Sequence, residues 1–213
     1  MIPVEELAAS YRAAGKKWPA TILGLGHPRS GTKYLASLLN AYGWNVGHEE
    51  LRGMGIVAWQ LASRRLRPSF SEITRADIRP GLIIHITRNP LDVIRSSART
   101  EAGAWRTNRL REAGSFEIDK KRPYEANARA VLYWDQLIRD QGPDLTLRVE
   151  TAPEELGKFL GASEVKGRDL GRVNSRKYQK EPDEAVLDSL DPDTRERVLN
   201  LCEVQGYPMR AAA

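Results

Sequence analysis

Apolar and polar positions alternate along the chain in blocks that predict strands and helices in turn. Residues 20–26 and 82–87 form short apolar runs, the pattern expected of strands that are covered on both faces. Shorter strands are predicted over 44–47 and 145–149, and longer stretches of helical spacing lie between the strands. Strands that alternate with helices predict an α/β fold of three layers, with a mainly parallel central sheet flanked by helices.

The predicted helices have apolar side chains at helical spacing or are bounded by glycine and proline. Pro90 stands where a helix starts, and Gly43 stands where one ends. The segment 55–65 belongs to this set because several positions from Ile56 to Leu66 are apolar. The predicted helices cover residues 4–15, 32–42, 55–65, 90–99, 124–140, 153–160 and 194–205.

Length and composition indicate one globular domain over residues 1–213. A domain of this size buries roughly 70% of the surface that its unfolded chain exposes, so its core needs neither a disulfide nor a metal. Its 41% hydrophobic and 29% charged residues exclude a disordered or coiled-coil chain. Within the domain we distinguish an N-terminal helix (1–18), a core (20–160), a polar loop (161–182) and a C-terminal helical segment (183–213).

Cysteines, histidines and apolar runs restrict the chemistry and the location further. The single cysteine, Cys202, excludes an intramolecular disulfide and cysteine-rich zinc sites, and we expect it to pack among apolar residues. Three histidines are too few for a histidine-rich metal site, so we expect no metal. No apolar run approaches the ~20 residues of a membrane span, and the first residues lack the apolar core of a secretory signal. The expected location is the cytoplasm.

Positive charge is concentrated in the middle of the chain. The net charge is +5, but the segment 52–112 holds twelve arginines, no lysine and five acidic residues, a local excess of +7. Arginine is suited to planar, multidentate recognition of anions. Two interpretations stay open: the arginines form a solvated helical face, or some of them line a channel for an anionic ligand.

A glycine-rich loop follows the first predicted strand and opens a helix. Its sequence from Gly26 to Lys33 is GHPRSGTK, and the spacing of Gly26 and Gly31 equals that of a Walker A loop. Such a loop points backbone N–H groups inward at a helix N-terminus, which makes a cradle for a phosphate-like anion. The order Thr32-Lys33 reverses the Lys-Ser/Thr order of Walker A, and no apolar strand ends in a Walker B aspartate. Arg29 supplies positive charge from inside the loop instead; the alternative is a glycine-rich turn without a ligand.

A second pair of candidate anion ligands follows the strand over 82–87. Arg88 stands at its carboxyl end, and Ser96 stands eight residues further on, in a predicted helix. Ligands of α/β sheets bind at the carboxyl ends of the strands, so the two side chains are placed to hold one phosphate from two sides. The alternative is that Ser96 is a small helix residue and Arg88 a salt-bridge partner.

Together the two patterns, Pro-Arg-Ser-Gly-Thr after the first strand and Arg-x-Pro-x5-Ser after the middle strand, resemble the sulfotransferase family. The resemblance spans residues 20–208. It implies a P-loop-containing, nucleotide-hydrolase-like fold. It also implies an enzyme that takes a sulfuryl group from 3′-phosphoadenosine 5′-phosphosulfate (PAPS), without a metal, and leaves 3′-phosphoadenosine 5′-phosphate (PAP). Residues 20–160 would then be the donor-binding core and 161–182 the loop that closes over the nucleotide.

The resemblance also implies roles for individual residues. Arg88 and Ser96 would bind the 3′-phosphate. A later loop is similar to the one that closes over this phosphate in heparan-type members, where Arg176 matches and Asn174 and Ser175 replace a lysine and a glycine. The 5′-phosphosulfate would be bound by Arg29, Ser30, Gly31, Thr32 and Lys33.

Sulfuryl transfer needs charge stabilisation at the leaving phosphate and a general base for the acceptor hydroxyl. Arg29, inside the cradle, is the candidate for stabilising the charge that develops on the leaving phosphate. The base is expected at the end of the second strand, next to the first loop, where Gly-His-Glu-Glu occupies 47–50. Neighbouring side chains of an extended segment point opposite ways, so we do not expect Glu49 and Glu50 to face the site together. The Gly-His-Glu order is similar to that of many bacterial sulfotransferase-like proteins, and on this resemblance Glu49 is preferred as the base, with His48 beside it. The spacing in tyrosylprotein-type members implies Glu50 as the alternative. A further interpretation leaves the acids as solvated loop residues beside a structural histidine.

The acceptor is expected to be a hydroxyl compound whose class stays open: a glycan, a lipid, a small alcohol or a peptide. Two other functions stay open beside the sulfotransferase. A P-loop kinase would need Mg²⁺ and the Walker lysine. A non-catalytic anion-binding module would bind nucleic acid through the arginine-rich segment 52–112. The favoured interpretation has neither nucleic acid nor a membrane span among its partners, and it leaves the oligomeric state open.

Overall fold

The structure, a computed structural model, describes residues 22–66, 75, 78–99, 103–161, 170 and 182–207. Its strands are β1 (Ile22–Leu25), β2 (Val46–His48), β3 (Gly55–Val57), β4 (Leu82–Thr87) and β5 (Leu145–Arg148). They form one five-stranded sheet in the order β2-β3-β1-β4-β5, and every neighbouring pair is parallel. The predicted α/β class with a parallel central sheet is therefore confirmed.

Eight α-helices flank the sheet in the described ranges. They are α1 (Thr32–Ala41), α2 (Pro90–Ala98), α3 (Ala104–Glu112), α4 (Phe116–Asp119), α5 (Pro123–Arg139), α6 (Ala152–Leu160), α7 (Asp183–Asp188) and α8 (Pro192–Val204). The sequence pattern predicts no helix at α3, α4 or α7, because α3 is mostly polar and the other two have 4 and 6 residues. The helix predicted over 4–15 lies outside the described residues. Among the helices described, none is both long and apolar enough to cross a membrane.

The prediction of a helix over 55–65 is wrong. This segment contains β3 and then a single 3₁₀ turn, Trp59–Ala62. All three residues of β3 are buried, and the strand lies between β2 and β1. A short apolar run fits a buried strand as well as a helix, so its apolar spacing does not separate the two. β2 is expected beside β1, next to the first loop. Instead β3 lies beside β1, and β2 lies one strand further out.

Helices cover both faces of the sheet. Alternate residues of a strand point to opposite faces. Leu23 and Leu25 therefore share one apolar cluster with Trp134 of α5, whereas Ile22 and Ile84 share another with the apolar side of α1. Full burial of such a side chain contributes about 1.5–3 kcal/mol to stability. The two clusters hold the sheet between two helical layers.

The C-terminal helices belong to the same packed body. An apolar cluster joins α7 and α8 to α2 and α5 and includes Leu91, Leu187, Val198 and Cys202. Burial raises the pKa of the Cys202 thiol to about 12. The prediction that Cys202 is a packing residue is confirmed.

Candidate anion-binding site

The glycine-rich loop runs from the end of β1 to the first turn of α1. The Ser30 N–H donates to the His27 carbonyl over 2.9 Å and closes the loop into a turn. Arg29 has a φ of +81° and Gly31 a φ of +108°. A left-handed conformation costs a residue with a Cβ, such as Arg29, roughly 1–2 kcal/mol. The N-cap residue of α1 is Gly31, which has no side chain to cap the first N–H groups of the helix, and an anion cradle requires such N–H groups.

Close packing holds both ends of the loop in place. A Cβ on Gly26 would lie 2.6 Å from Ser30 Oγ and 2.7 Å from the Ile86 carbonyl oxygen, so only glycine fits there. Ser30 Oγ donates to the same Ile86 carbonyl over 3.0 Å and ties the loop to β4. A Cβ on Gly31 would lie 3.0 Å from a methyl group of Val149, directly after β5. The cradle therefore lies against the carboxyl ends of β4 and β5.

The two predicted anion-binding patterns meet at one hydrogen bond. Arg29 Nε donates to Ser96 Oγ over 2.8 Å, although 67 positions separate the two residues in sequence. Ser96 lies on α2, whose N-terminus is capped by Asn89, which accepts from the Leu91 N–H over 2.9 Å. Pro90 occupies the first turn, where its missing N–H costs nothing. The loop after β1 and the helix after β4 are thus in direct contact.

Arg88 lies at the rim of this site. Its Nη2 is 3.7 Å from Asp92 Oδ2, one turn into α2, and 40% of its side chain is exposed. It lines the same small cavity as Ser30. The structure brings Ser96 to Arg29 rather than to Arg88, so the pairing of Arg88 with Ser96 on one phosphate stays a prediction. Lys33, in the first turn of α1, is exposed.

The end of β2 reaches the loop through His48. Its Nε2 lies 3.2 Å from the hydroxyl of Thr32, the first residue of α1. Burial lowers the pKa of His48, Glu49 raises it and Lys33 lowers it, and the net direction is downward. The imidazole is therefore mainly neutral near pH 7. This contact forms even though β3 separates β2 from β1.

The two glutamates after β2 point in different directions. Glu49 has a φ of +55°, its N–H donates to the Val57 carbonyl over 3.0 Å, and its Oε1 accepts from Gln60 Nε2 over 3.3 Å. Glu50 instead pairs with Arg52 at 3.0 Å, and 62% of its side chain is exposed. Glu49 thus faces the end of β3 and Glu50 the solvent. Sequence reasoning does not single out Gln60, because it places this residue within a helix.

Sequence reasoning also misses a buried arginine beneath the loop. Arg109 of α3 is fully buried; its Nη1 lies 2.8 Å from His27 Nε2, and its Nη2 donates to Asn127 Oδ1 of α5. Burial lowers the pKa of Arg109 to about 9, and the nearby charge of Arg106 adds to this. No sequence signal marks the contact, because 82 positions separate His27 from Arg109 and α3 has a polar pattern.

A small cavity lies at the carboxyl edge between β1 and β4. It is lined in part by His27, Ser30, His85, Arg88 and Asp135. Burial lowers the pKa of His85 to about 4, and the charge of Arg139 adds to this. Its Nε2 lies 4.0 Å from Asp135 Oδ1, and burial raises the pKa of that carboxyl. His85 is therefore a buried neutral group beside the site.

Part of the predicted donor site lies outside the described residues. This applies to Asn174, Ser175 and Arg176, and to nearly all of the loop predicted over 161–182. In the part of the chain that the structure describes, no group of three or more His, Cys, Asp or Glu side chains is placed to hold a metal ion.

No protein-family model matches the chain, and neither a curated protein nor a solved structure matches it. The chemistry of the site must therefore be inferred from its own residues.

Proposed function

We propose that the protein is a sulfotransferase with a P-loop-like fold that transfers a sulfuryl group from PAPS to an acceptor hydroxyl. The observation that carries this proposal is the 2.8 Å hydrogen bond between Arg29 and Ser96. It joins the loop that resembles the family's 5′-phosphosulfate site to the helix that resembles its 3′-phosphate site. PAPS has anionic groups on both the 3′ and the 5′ side of one ribose, so its two anion sites must be adjacent.

The described residues fit such a donor. The N-cap of α1 is Gly31, which has no capping side chain, and the loop before the helix has left-handed turns at Arg29 and Gly31 that help direct backbone N–H groups inward. Arg29 adds a guanidinium within the loop, and Arg88 adds one at the rim. Residues 26–33 would hold the 5′ end, and Ser96 with Arg88 would hold the 3′-phosphate.

When bound, PAPS supplies a sulfuryl group whose bond to a phosphate oxygen breaks as the acceptor oxygen bonds to sulfur, with the electron pair left on the phosphate. Arg29 stabilises that charge, and Ser96 orients its guanidinium beforehand, so little reorganisation is needed during the reaction. Glu49 takes the proton of the acceptor hydroxyl, and Gln60 orients its carboxylate. His48 links this base to the loop through Thr32.

Nucleotide-dependent thermal unfolding tests the proposal. A ligand at 100 times its Kd stabilises the folded state by about 2.7 kcal/mol, which is easily measured as a rise in Tm. We expect PAP to raise Tm, and ATP with Mg²⁺ at the same concentration to raise it far less. Adenosine 5′-monophosphate, which differs from PAP only by the missing 3′-phosphate, is the matched control and should give an intermediate rise.

The same experiment separates the alternatives. A larger rise with ATP and Mg²⁺ than with PAP would contradict the proposal and favour a P-loop kinase. Salt-sensitive binding of an oligonucleotide with no response to PAP would favour an anion-binding module. Turnover is then measured as release of PAP from PAPS, with 4-nitrophenol, glucosamine and 1-octanol as probe acceptors for phenols, sugars and fatty alcohols.

A further inference from the structure

His27 is the centre of the hydrogen bonds that hold the glycine-rich loop. Its carbonyl accepts from the Ser30 N–H over 2.9 Å. Its ring Nδ1 lies 2.6 Å from the Pro28 carbonyl oxygen, and its ring Nε2 lies 2.8 Å from Arg109 Nη1. Only 5% of His27 is exposed, so these contacts are shielded from water.

The chemistry of its partners determines the protonation state of His27. A guanidinium has only N–H donors, so Nε2 must accept from Arg109, whereas a carbonyl oxygen only accepts, so Nδ1 must carry the proton towards Pro28. The neutral Nδ1–H form is the one that satisfies both contacts. Burial, together with the charge of Arg109, also holds the pKa of His27 well below its usual value.

Arg109 is in turn fixed by groups on two other helices. Its Nη2 donates to Asn127 of α5, and Asn127 Nδ2 lies 3.4 Å from Asp119 Oδ1 of α4. Asp119 accepts two hydrogen bonds from Arg106, at 2.6 and 2.7 Å. The network thus runs from α4 and α5 through Arg109 to the loop. The other charged or titratable groups that line the cavity beside His27 are His85, Arg88 and Asp135.

We infer that Arg109 is a positioning residue for anion binding: through His27 it fixes the turn that places Arg29 and Ser30. This inference rests on the proposed function, because it takes the loop as the donor site. A buried guanidinium also raises the positive potential beneath the loop, and a bound anion would offset part of its desolvation cost. Loss of Arg109 should therefore weaken binding of any anion in the loop, with or without a nucleotide.

A double-mutant cycle tests the inference, with the Kd of PAP and of inorganic pyrophosphate measured by calorimetry. The variants are Arg109→Met, His27→Leu and the two together. We expect each single variant to weaken binding about tenfold and the double variant to weaken it no further, because residues that act through one contact are not additive. Arg111→Met is the matched control, since Arg111 lies on the same helix but is exposed and lies over the Phe116 ring, at 4.8 Å from its centre. It should change Kd less than about threefold and add to His27→Leu.

Two conservative variants keep the inference testable if Arg109→Met or His27→Leu does not fold. His27→Gln retains a donor for Pro28 and an acceptor for Arg109, so it should bind close to wild type. Arg109→Lys keeps the charge with a different donor geometry and should bind more weakly than wild type. Ring ¹⁵N shifts of His27 provide a second readout. They are expected to report the Nδ1–H form near pH 7 in wild type, and protonation at a higher pH in Arg109→Met, which removes the neighbouring charge that lowers the pKa of His27.

The outcomes separate this inference from the proposed function. Wild-type affinity in Arg109→Met, or full additivity with His27→Leu, would overturn the role of Arg109 while PAP binding by wild type keeps the proposed function intact. If wild type binds pyrophosphate but not PAP, the donor assignment fails and the positioning role is judged on pyrophosphate alone. If wild type binds neither probe, both fail.

Discussion

The two halves of the candidate site lie on one edge of the sheet but are built in different ways. At the ends of β1 and β4, Arg29 and Ser30 bond to elements more than 50 positions away in sequence, and Ser30 is buried. At the ends of β2 and β3, Glu49 bonds to Gln60 over 11 positions, and Glu50 pairs with its near neighbour Arg52. The first half, the proposed donor side, is held by the tertiary fold, and the second half, the proposed acceptor side, is held by the local chain.

This difference predicts how each half responds to mutation. Changes on the donor side should disturb binding and stability as well as turnover, because the same contacts hold the loop and orient its charges. Changes on the acceptor side should affect turnover alone, because few packed groups depend on the two glutamates. An acceptor side with little long-range bonding is also easier to vary without loss of the fold, as binding loops on a rigid scaffold generally are.

The largest effect is expected at the base. Glu49→Gln keeps the size of the side chain and removes its basicity, so it should lower turnover by about 10²–10⁴, with Tm and PAP affinity unchanged. Glu50→Gln is the matched control and should turn over like wild type, because its carboxylate faces Arg52. Both are measured as PAP release with the best of the three probe acceptors. If only Glu50→Gln were inactive, the base would be Glu50; if neither were, the base would lie elsewhere.

The next largest effect on turnover is expected at Arg29, the residue proposed to stabilise the leaving phosphate. Charge develops on the phosphate only as the S–O bond breaks, so Arg29→Ala should lower kcat by about 10²–10³, the scale of one lost oxyanion donor. Arg29→Lys should recover part of the rate. Arg52→Ala, at an exposed arginine paired with Glu50, is the control and should keep wild-type kcat. An unchanged kcat with a raised KM for PAPS would make Arg29 a binding residue only.

Stability should depend on pH through His85, one of two buried histidines beside the glycine-rich loop. His85 has a pKa of about 4 in the folded protein and about 6.5 in the unfolded chain. Below pH 6.5 the unfolded state therefore binds the extra proton, and the free energy of unfolding falls as the pH drops towards 4. The loss from His85 amounts to about 3 kcal/mol. Asp135, whose pKa is raised, acts in the opposite direction at the acid end.

Chemical denaturation between pH 7.5 and 4.5 measures this dependence. His85→Gln should show a shallower decline than wild type, while His48→Gln, at a half-buried histidine of the acceptor side, should change the slope less. Equal slopes for wild type and His85→Gln would show that the buried histidine does not contribute.

The smallest effect is expected at Arg88. Its side chain is 40% exposed and lies near Asp92, so solvent weakens its interaction with a phosphate. Arg88→Ala should weaken PAP binding about tenfold and leave adenosine 5′-monophosphate binding unchanged, as measured by calorimetry. Equal losses for both nucleotides would remove Arg88 from the 3′-phosphate site.

Local sequence signals account for part of the fold and of the site. The apolar run of β4, Pro90 at the start of α2 and the glycines of the loop each determine their structure through neighbouring residues, and these predictions agree with the structure. The strand β3 is not predicted from the sequence, because its three buried residues are too few to show a strand periodicity. The contacts of Arg109 with His27 and of Arg29 with Ser96 depend on chain topology, which no local pattern encodes.

The most direct test of the central claim is amide chemical-shift mapping of the wild-type protein with PAP. If the loop and α2 form one donor site, the amides of residues 29–33 and of Ser96 should shift together with a single Kd. The groove between α5 and α8, lined by Tyr133, Asn200 and Val204, should not respond. Shifts confined to that groove, or shifts of the loop without α2, would contradict the account.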